Sequence, residues 1–168
     1  FPGVWEVSCL VAGGSLLAAK LVADGEVGRA FHFAGGLHHA MPARASGFCY
    51  IDDPVLAILS LRERGWRVAY VDIDAHHGDG VQFAFYRDSG VLTISTHERG
   101  DCLFPGTGFV EELGEGPGRG YSVNLPLDPF TDDEVYAEGF EAIVPPLIRA
   151  FKPDVVVAQL GIDSHRTD

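Results

Sequence analysis

Apolar side chains recur along the chain at helical spacing in several segments. The first such pattern covers residues 8–23. Asp53 followed by Pro54 is typical of an N-cap and a first helical residue, and predicts a second helix that ends at Gly65. A short third helix is expected over residues 79–88. These segments predict a chain rich in amphipathic helices.

A fourth helix is predicted after residue 130. Thr131 and Glu134 match a capping box, and the helix is expected to run to about residue 151. Pro145 and Pro146 lie inside it and should kink or split it, because proline lacks the amide hydrogen and clashes with the preceding turn.

Strand patterns alternate with these helices. Residues 67–73 and 91–96 are rich in β-branched and aromatic side chains, and residues 29–33 alternate briefly. Residues 154–160 form a nearly continuous apolar run, typical of a strand buried on both faces of a parallel sheet. The alternation predicts an α/β fold with a parallel sheet.

The segment from 98 to 120 carries nine Gly or Pro residues and no regular pattern. Irregular segments of that length are uncommon in a compact domain and are more often functional than idle. No repeat or linker divides the chain, so we expect one domain over 1–168. The first residue is Phe1 and the only methionine is Met41, which favours a fragment, incomplete at both ends.

Composition narrows the function classes. The formal net charge is −12, and the basic residues are ten Arg and two Lys scattered along the chain, which argues against direct nucleic-acid binding. No uninterrupted apolar run reaches the ~18 residues of a membrane span, so no membrane partner is expected. Cys9, Cys49 and Cys102 are far apart and odd in number, which fits free thiols and a cytoplasmic location.

The residues that could bind a metal ion or act as acids and bases are concentrated near residue 75. Two histidines and three aspartates occupy the nine-residue run DIDAHHGDG, which follows a predicted strand. Asp72, Asp74 and His76 would share one face if that strand continued. Asp163 follows the last predicted strand, and carboxyl ends of parallel strands meet in one crevice.

A polar strand end with an acidic loop is the simpler interpretation of this run. So many ionisable groups at a buried strand end are nevertheless difficult to accommodate without a partner. Nitrogen and carboxylate ligands that leave one position open are typical of a catalytic zinc-type site. The sequence therefore predicts a metal site.

An ordered set of motifs then resembles a known family. GGLHHAMPARASGFCYIDD, YVDIDAHHGDGVQFAF, ISTH, LFPGTG, YSVNLPL and QLGIDSH are similar to segments of the zinc-dependent histone deacetylases, and especially of bacterial acetoin-utilisation-type deacetylases. The resemblance covers almost the whole chain. It implies the arginase-deacetylase fold, a three-layer α/β structure with helices on both faces of a parallel sheet, and hydrolysis of the acetamide of acetyl-lysine or of small acetylated amines.

The resemblance also implies roles for individual residues. Asp74, His76 and Asp163 match the ligands of one Zn²⁺, and His38 and His39 match the tandem catalytic histidines. Asp72 and Asp79 match the carboxylates that orient those imidazoles. Gly47, Phe48 and Phe104 match the walls of a substrate tunnel. Two monovalent-cation sites, possible K⁺ sites, are implied at the following residues: Asp72, Asp74, His76 and Ser95 for the nearer one, and Phe85, Asp88, Val91 and Tyr121 for the farther one.

Amide hydrolysis explains why these residue types are needed. A base must take a proton from water and an acid must protonate the leaving amine, and two histidines in different environments can divide those tasks. We expect His39 to be the principal acid–base group and His38 to give electrostatic support, with the reverse division left open. His77 is expected to form a supporting hydrogen bond.

Two other functions compete with a deacetylase. An arginase-type binuclear manganese ureohydrolase would need two further carboxylates, where this chain has Gly78 and His165. A catalytically silent module could bind acylated lysine or amines. The family's transition-state tyrosine lies in a Gly-Gly-Tyr segment absent from these residues, so we expect the isolated piece to turn over poorly.

Overall fold

The computed structural model describes residues 2–165. Its helices are α1 (Val4–Ala23), α2 (Asp53–Arg62), α3 (Asp79–Phe85) and α4 (Asp133–Phe151), with a short 3₁₀ turn at Gly116–Gly118. Its strands are β1 (Val68–Asp72), β2 (Val91–Glu98), β3 (Ser122–Leu127) and β4 (Val155–Gln159). The predicted α/β class and its parallel sheet are confirmed.

The four strands form one parallel sheet in the order β3-β2-β1-β4. Asp72, the last residue of β1, pairs with Ser95 of β2 and with Gln159, the last residue of β4. The chain runs from β1 outward to β2 and β3, and then returns to the other side of β1 with β4. The switch in direction lies between β1 and β4, where open α/β sheets bind ligands beyond the carboxyl ends.

Alternate residues of β1 build two separate cores. Val68 and Tyr70 pack with residues of α1, α2 and α3 on one face. Ala69 and Val71 pack on the other face with Val144 and further residues of α4. This two-residue period places helices on both faces of the sheet, the three-layer arrangement that the resemblance implied.

The N-caps predicted for α2 and α4 are each off by one residue. Asp52, not Asp53, is the N-cap of α2, and its carboxylate accepts the Val55 amide hydrogen at 2.9 Å. Asp132 rather than Thr131 caps α4, accepting from the Val135 amide. In both cases two acidic residues stand in a row, and the first one has the extended backbone that an N-cap requires.

Several other sequence expectations need correction. Residues 29–33 form no strand, while the strand β3 was not predicted. The third helix ends at Phe85, before the predicted 88. The fourth helix is continuous through Pro145 and Pro146, so the predicted split is wrong.

The last strand, β4, is not buried on both faces. Its burial alternates, and Val156 is 47% exposed, because the described residues leave one face of this strand incompletely covered. The predicted free cysteines are confirmed: Cys9, Cys49 and Cys102 are all unpaired thiols.

Our count of uninterrupted apolar residues overlooked α1. This 20-residue helix has a mean hydropathy of 1.5 and is, by length and composition alone, apolar enough to cross a membrane. The count missed it because Gly, Ser and single charged residues interrupt the apolar run without making the helix polar. This is weak evidence of a membrane span, since core helices and N-terminal signal sequences meet the same test.

Candidate metal and acid–base site

The segment after β1 is shaped by its own carboxylates. The strand ends at Asp72, so an extended strand does not align Asp74 and His76, contrary to the expectation from period-two spacing. Instead Asp72 Oδ1 accepts the Asp74 amide hydrogen at 3.1 Å, and Asp74 Oδ1 accepts that of His76 at 2.8 Å. Such bonds to the amide two residues on are typical of Asx turns. They fold the segment back over the sheet edge.

Asp163 joins this segment from the region beyond β4. Its Oδ1 accepts the Ala75 amide hydrogen at 2.9 Å, and its Oδ2 lies 2.8 Å from His76 Nδ1. Asp74 Oδ1 lies 3.1 Å from the same nitrogen. The residues predicted as metal ligands are therefore brought together.

The donor set of Asp74, His76 and Asp163 fits a metal ion. Their candidate ligand atoms all lie within 4.8 Å of one another. Ligands about 2.1 Å from one tetrahedral centre are about 3.4 Å apart, close to the observed separations. One imidazole and two carboxylates are donors that zinc and several other divalent metals accept. Within residues 2–165 no second group of this kind was identified.

Charge around these ligands follows from their contacts. Burial acts against ionisation of Asp74, but hydrogen bonds from His76 and Gln159 and the charge of His38 together hold the pKa of Asp74 below its ordinary value. The hydrogen bond to Asp74, opposed by burial and aided by Asp163, raises the pKa of His76. The contacts of Asp74 and His76 therefore favour a negative carboxylate beside a positive imidazole in the absence of a cation.

The tandem histidines each bind a different carboxylate. His38 Nδ1 lies 2.7 Å from Asp72 Oδ2, and His39 Nδ1 lies 2.7 Å from Asp79 Oδ1. Because an ionised carboxylate only accepts, each Nδ1 carries the proton and each Nε2 is left for other partners. The Tyr70 hydroxyl also donates to Asp72 Oδ2, which fixes that carboxylate.

The two histidines and the candidate metal ligands form one cluster. The rings of His38 and His39 are 4.0 Å apart, and the rings of His39 and His76 are 5.9 Å apart. His38 Nε2 lies 3.8 Å from Asp74 Oδ2. Burial opposes a charge on His38, yet the charge of Asp72 and its hydrogen bond, with Asp74 and Asp52, raise the pKa of His38 to about 9.

The predicted tunnel residues lie beside this cluster. The Phe104 ring is 5.0 Å from that of His39 and 6.3 Å from that of His76. Gly47 and Phe48 have φ of 52° and 62° and form the centre of a tight turn closed by Ser46 and Cys49. A Cβ on Gly47 would collide with the His39 ring and approach Phe104, so only glycine fits there. Phe48 is 97% exposed at this edge.

The long segment 98–120 is anchored to the sheet and carries Phe104. His97 Nε2 donates to the Gly108 carbonyl at 2.9 Å, and His77 Nδ1 bonds Thr107 Oγ1 at 2.8 Å. Burial, together with the charge of His97, lowers the pKa of His77 to about 4, which keeps this buried imidazole neutral. His77 has the supporting role expected from its position.

The residues predicted for monovalent cations are distributed over two places. Ser95 lies beside Asp72 on β2, at the edge that carries Asp74 and His76. The farther set surrounds the end of α3 and the start of β2, where the Asp88 carboxylate already pairs with Arg62 at 3.2 Å. A cation there would have to use backbone carbonyls. Both cation sites stay predictions.

Sequence reasoning missed two residues that hold the site together. Asp53 accepts hydrogen bonds from the Gly36 and Leu37 amides, which precede His38, and from Ser15 Oγ. Gln159 Nε2 donates to Asp74 Oδ2 at 2.8 Å and to the Gly36 carbonyl at 3.2 Å. The signal available in the sequence was a polar Gln at the end of an otherwise apolar strand.

The structure thus combines a parallel α/β sheet with a candidate divalent-metal donor set and carboxylate-paired histidines at its switch point. Comparison with known proteins gives the family: the histone deacetylase domain matches residues 1–168, and the chain belongs to the histone deacetylase family. As members of this family are generally metal-dependent, the donor set agrees with the match.

Individual relatives are similar along the whole chain. The acetoin utilization protein AcuC of Bacillus subtilis (strain 168) is 46% identical over 169 residues, which cover 100% of this chain and 44% of the relative. AcuC of Staphylococcus aureus (strain Mu50) is 46% identical, covering 96% of this chain and 42% of the relative. Histone deacetylase 19 of Arabidopsis thaliana is 48% identical, covering 100% and 33%. The chain thus spans less than half the length of these relatives.

Proposed function

We propose that this chain carries the metal and acid–base centre of a zinc-dependent deacetylase, which hydrolyses the acetamide of acetyl-lysine in proteins or of small acetylated amines. One observation carries the proposal. Asp74, His76 and Asp163 converge within 4.8 Å, and two histidines with separate carboxylate partners stand beside them. Family membership supports the same reaction.

Asp74, His76 and Asp163 would hold the metal ion. When bound, zinc supplies Lewis acidity toward the amide carbonyl and toward water. The side chains of the protein supply the acid–base chemistry. His39 keeps its proton on Nδ1 against Asp79, so its Nε2 accepts a proton from the attacking water and later returns one to the leaving amine.

His38 serves as the electrostatic partner in this proposal. Its two ring nitrogens face the carboxylates of Asp72 and Asp74, whose charges favour the imidazolium, and a charged ring cannot act as the base. A positive charge beside the reacting carbonyl stabilises the negative charge that develops on its oxygen. Phe48 and Phe104 offer apolar walls for the methylenes of an acetylated lysine or amine.

The test is a hydrolysis panel of acetyl-lysine peptides and acetylpolyamines, run with the protein at the full length of its gene. We expect release of acetate that a chelator abolishes and that one equivalent of Zn²⁺ restores. Elemental analysis identifies the bound metal and its amount per chain. About two manganese ions per chain with urea-forming activity would overturn the proposal in favour of an arginase-type enzyme, and metal binding without hydrolysis would indicate a silent binding module.

A further inference from the structure

Asp52 is a buried carboxyl group with one oxygen that has no hydrogen-bond partner. It is 9% exposed, and its Oδ1 accepts the Val55 amide hydrogen as the N-cap of α2. Its Oδ2 is fully enclosed and receives no hydrogen bond from the described residues. An ionised oxygen left in this state would cost several kcal/mol, so its surroundings need an explanation.

The unpartnered oxygen faces two backbone carbonyls of the tandem-histidine segment. A Cβ built on Gly80 would lie 2.5 Å from Asp52 Oδ2, 2.6 Å from the His38 carbonyl oxygen and 2.7 Å from the Ala40 carbonyl oxygen. The three oxygens therefore surround one small space that the missing side chain of Gly80 leaves open. All three are acceptors unless a proton lies among them.

The two carbonyls differ in their backbone partners. The His38 carbonyl accepts the Gly80 amide hydrogen at 3.0 Å. Within residues 2–165 no backbone amide donates to the Ala40 carbonyl, although Ala40 is buried. Asp52 Oδ2 and the Ala40 carbonyl oxygen border the same small space, and a proton on Asp52 Oδ2 would turn it into a donor for that carbonyl.

We propose that Asp52 is a neutral carboxylic acid whose Oδ2–H donates to the Ala40 carbonyl, which makes Asp52 a positioning residue for His38 and His39. The bond ties the start of α2 to the residue directly after His39. Asp53 holds the same segment from its other end, through the amides of Gly36 and Leu37. Adjacent carboxyl groups thus fix both ends of the tandem-histidine segment.

The groups that face Asp52 support the neutral form. Burial is the largest influence and raises the pKa of Asp52 to about 8, and the charges of Asp53 and Asp79 act in the same direction. The Val55 amide and His38 act against it. The Cys49 thiol is also close, and burial, aided by the charges of Asp53 and Asp79, raises the pKa of Cys49 to about 11, so it stays neutral.

The first test is the pH dependence of the free energy of unfolding for wild type and Asp52→Asn. In the folded protein Asp52 keeps its proton up to about pH 8, whereas in the unfolded chain it loses it near pH 4. The folded state therefore binds more protons between these values, and rising pH destabilises wild type by up to about tenfold in the folding constant per pH unit. The amide of the Asp52→Asn variant does not titrate, so the advantage of this variant over wild type should grow from pH 5 to pH 8 and then level off.

Asp132 provides the matched control, because it caps α4 in the same way but is exposed. Asp132→Asn should show no such trend above pH 5. A stability difference between Asp52→Asn and wild type that stays flat or shrinks with pH would overturn the neutral acid. Stabilisation of wild type alone by added K⁺ would overturn it too, by indicating an ionised carboxylate that binds a cation.

The positioning role rests on the proposed deacetylase function and has its own readout. Asp52→Ala should lower kcat at least tenfold with little change in KM, and Asp52→Asn should restore most of kcat because its amide can donate to the Ala40 carbonyl. Equal kcat values for the Asn and Ala variants would overturn positioning. If wild type lacks deacetylase activity, the proposed function fails while the unfolding experiment still decides the state of Asp52.

Discussion

Asp53 is the buried carboxylate that fixes the approach to the tandem histidines, and its replacement by Asn should destabilise the protein. The side chain is 1% exposed and accepts hydrogen bonds from three donor groups. These are Ser15 Oγ at 2.5 Å, the Gly36 amide at 3.0 Å to each oxygen, and the Leu37 amide at 2.9 Å. All three approach a carboxylate that has no donor of its own.

An Asn at this position can keep its acceptor oxygen toward the Gly36 and Leu37 amides, and its NH₂ group then faces Ser15 Oγ, a hydroxyl that can rotate and accept. The hydrogen bonds then end on a neutral acceptor, and losing one hydrogen bond to a charged acceptor costs about 1.5–3 kcal/mol. We therefore expect Asp53→Asn to lower the free energy of unfolding by about 1.5–3 kcal/mol.

Urea denaturation followed by circular dichroism measures this change. Asp133 is the matched control, because it too is the first helical residue after an aspartate N-cap, yet it is exposed. Asp133→Asn should cost only the interaction of one charge with the helix dipole, about 0.3–1 kcal/mol. If the two variants lost equal stability, Asp53 would be a helix-end charge and nothing more, and the reasoning would be refuted.

Two further predictions concern the site itself. Asp79→Asn should lower kcat by roughly 10²–10⁴-fold with little change in KM, since the His39 Nδ1 proton loses its carboxylate; an unchanged kcat would exclude His39 as the acid–base group. Gly47→Ala should lower kcat sharply, because the added Cβ displaces the His39 ring. Gly65→Ala has a similarly positive φ and open space around it, so it reproduces the backbone strain without the collision, and equal kcat losses would contradict the steric argument.

The sequence predicted those parts of the fold that local patterns encode. The β-branched and aromatic run of β1 is a strand because such side chains favour the extended, buried backbone. Its side chains point alternately to the two faces of the sheet and so pack into both hydrophobic cores. Local rules failed where tertiary contacts decide. Strand β3 carries the polar Asn124, whose Nδ2 donates to Gln82 Oε1 and to loop carbonyls, and α4 passes through two prolines.

The candidate site shows the same division. The residue types in DIDAHHGDG and the position of Asp163 after a strand predicted a metal site at the carboxyl edge of the sheet, since parallel strands end together. The geometry there is different from the expectation, because Asx turns and not an extended strand bring Asp74 and His76 together. Residue types were readable from the sequence, and their arrangement was not.

What the sequence alone determined is therefore the class of fold, the family and the inventory of reactive side chains. Only the tertiary structure decided their partners. Asp52 and Asp53 are neighbours in the chain, yet one faces the carbonyls of His38 and Ala40 while the other accepts the amides of Gly36 and Leu37. The reason is physical: a carboxyl group's charge depends on whether donors or acceptors surround it, and those groups come from a segment brought there by packing rather than by sequence proximity.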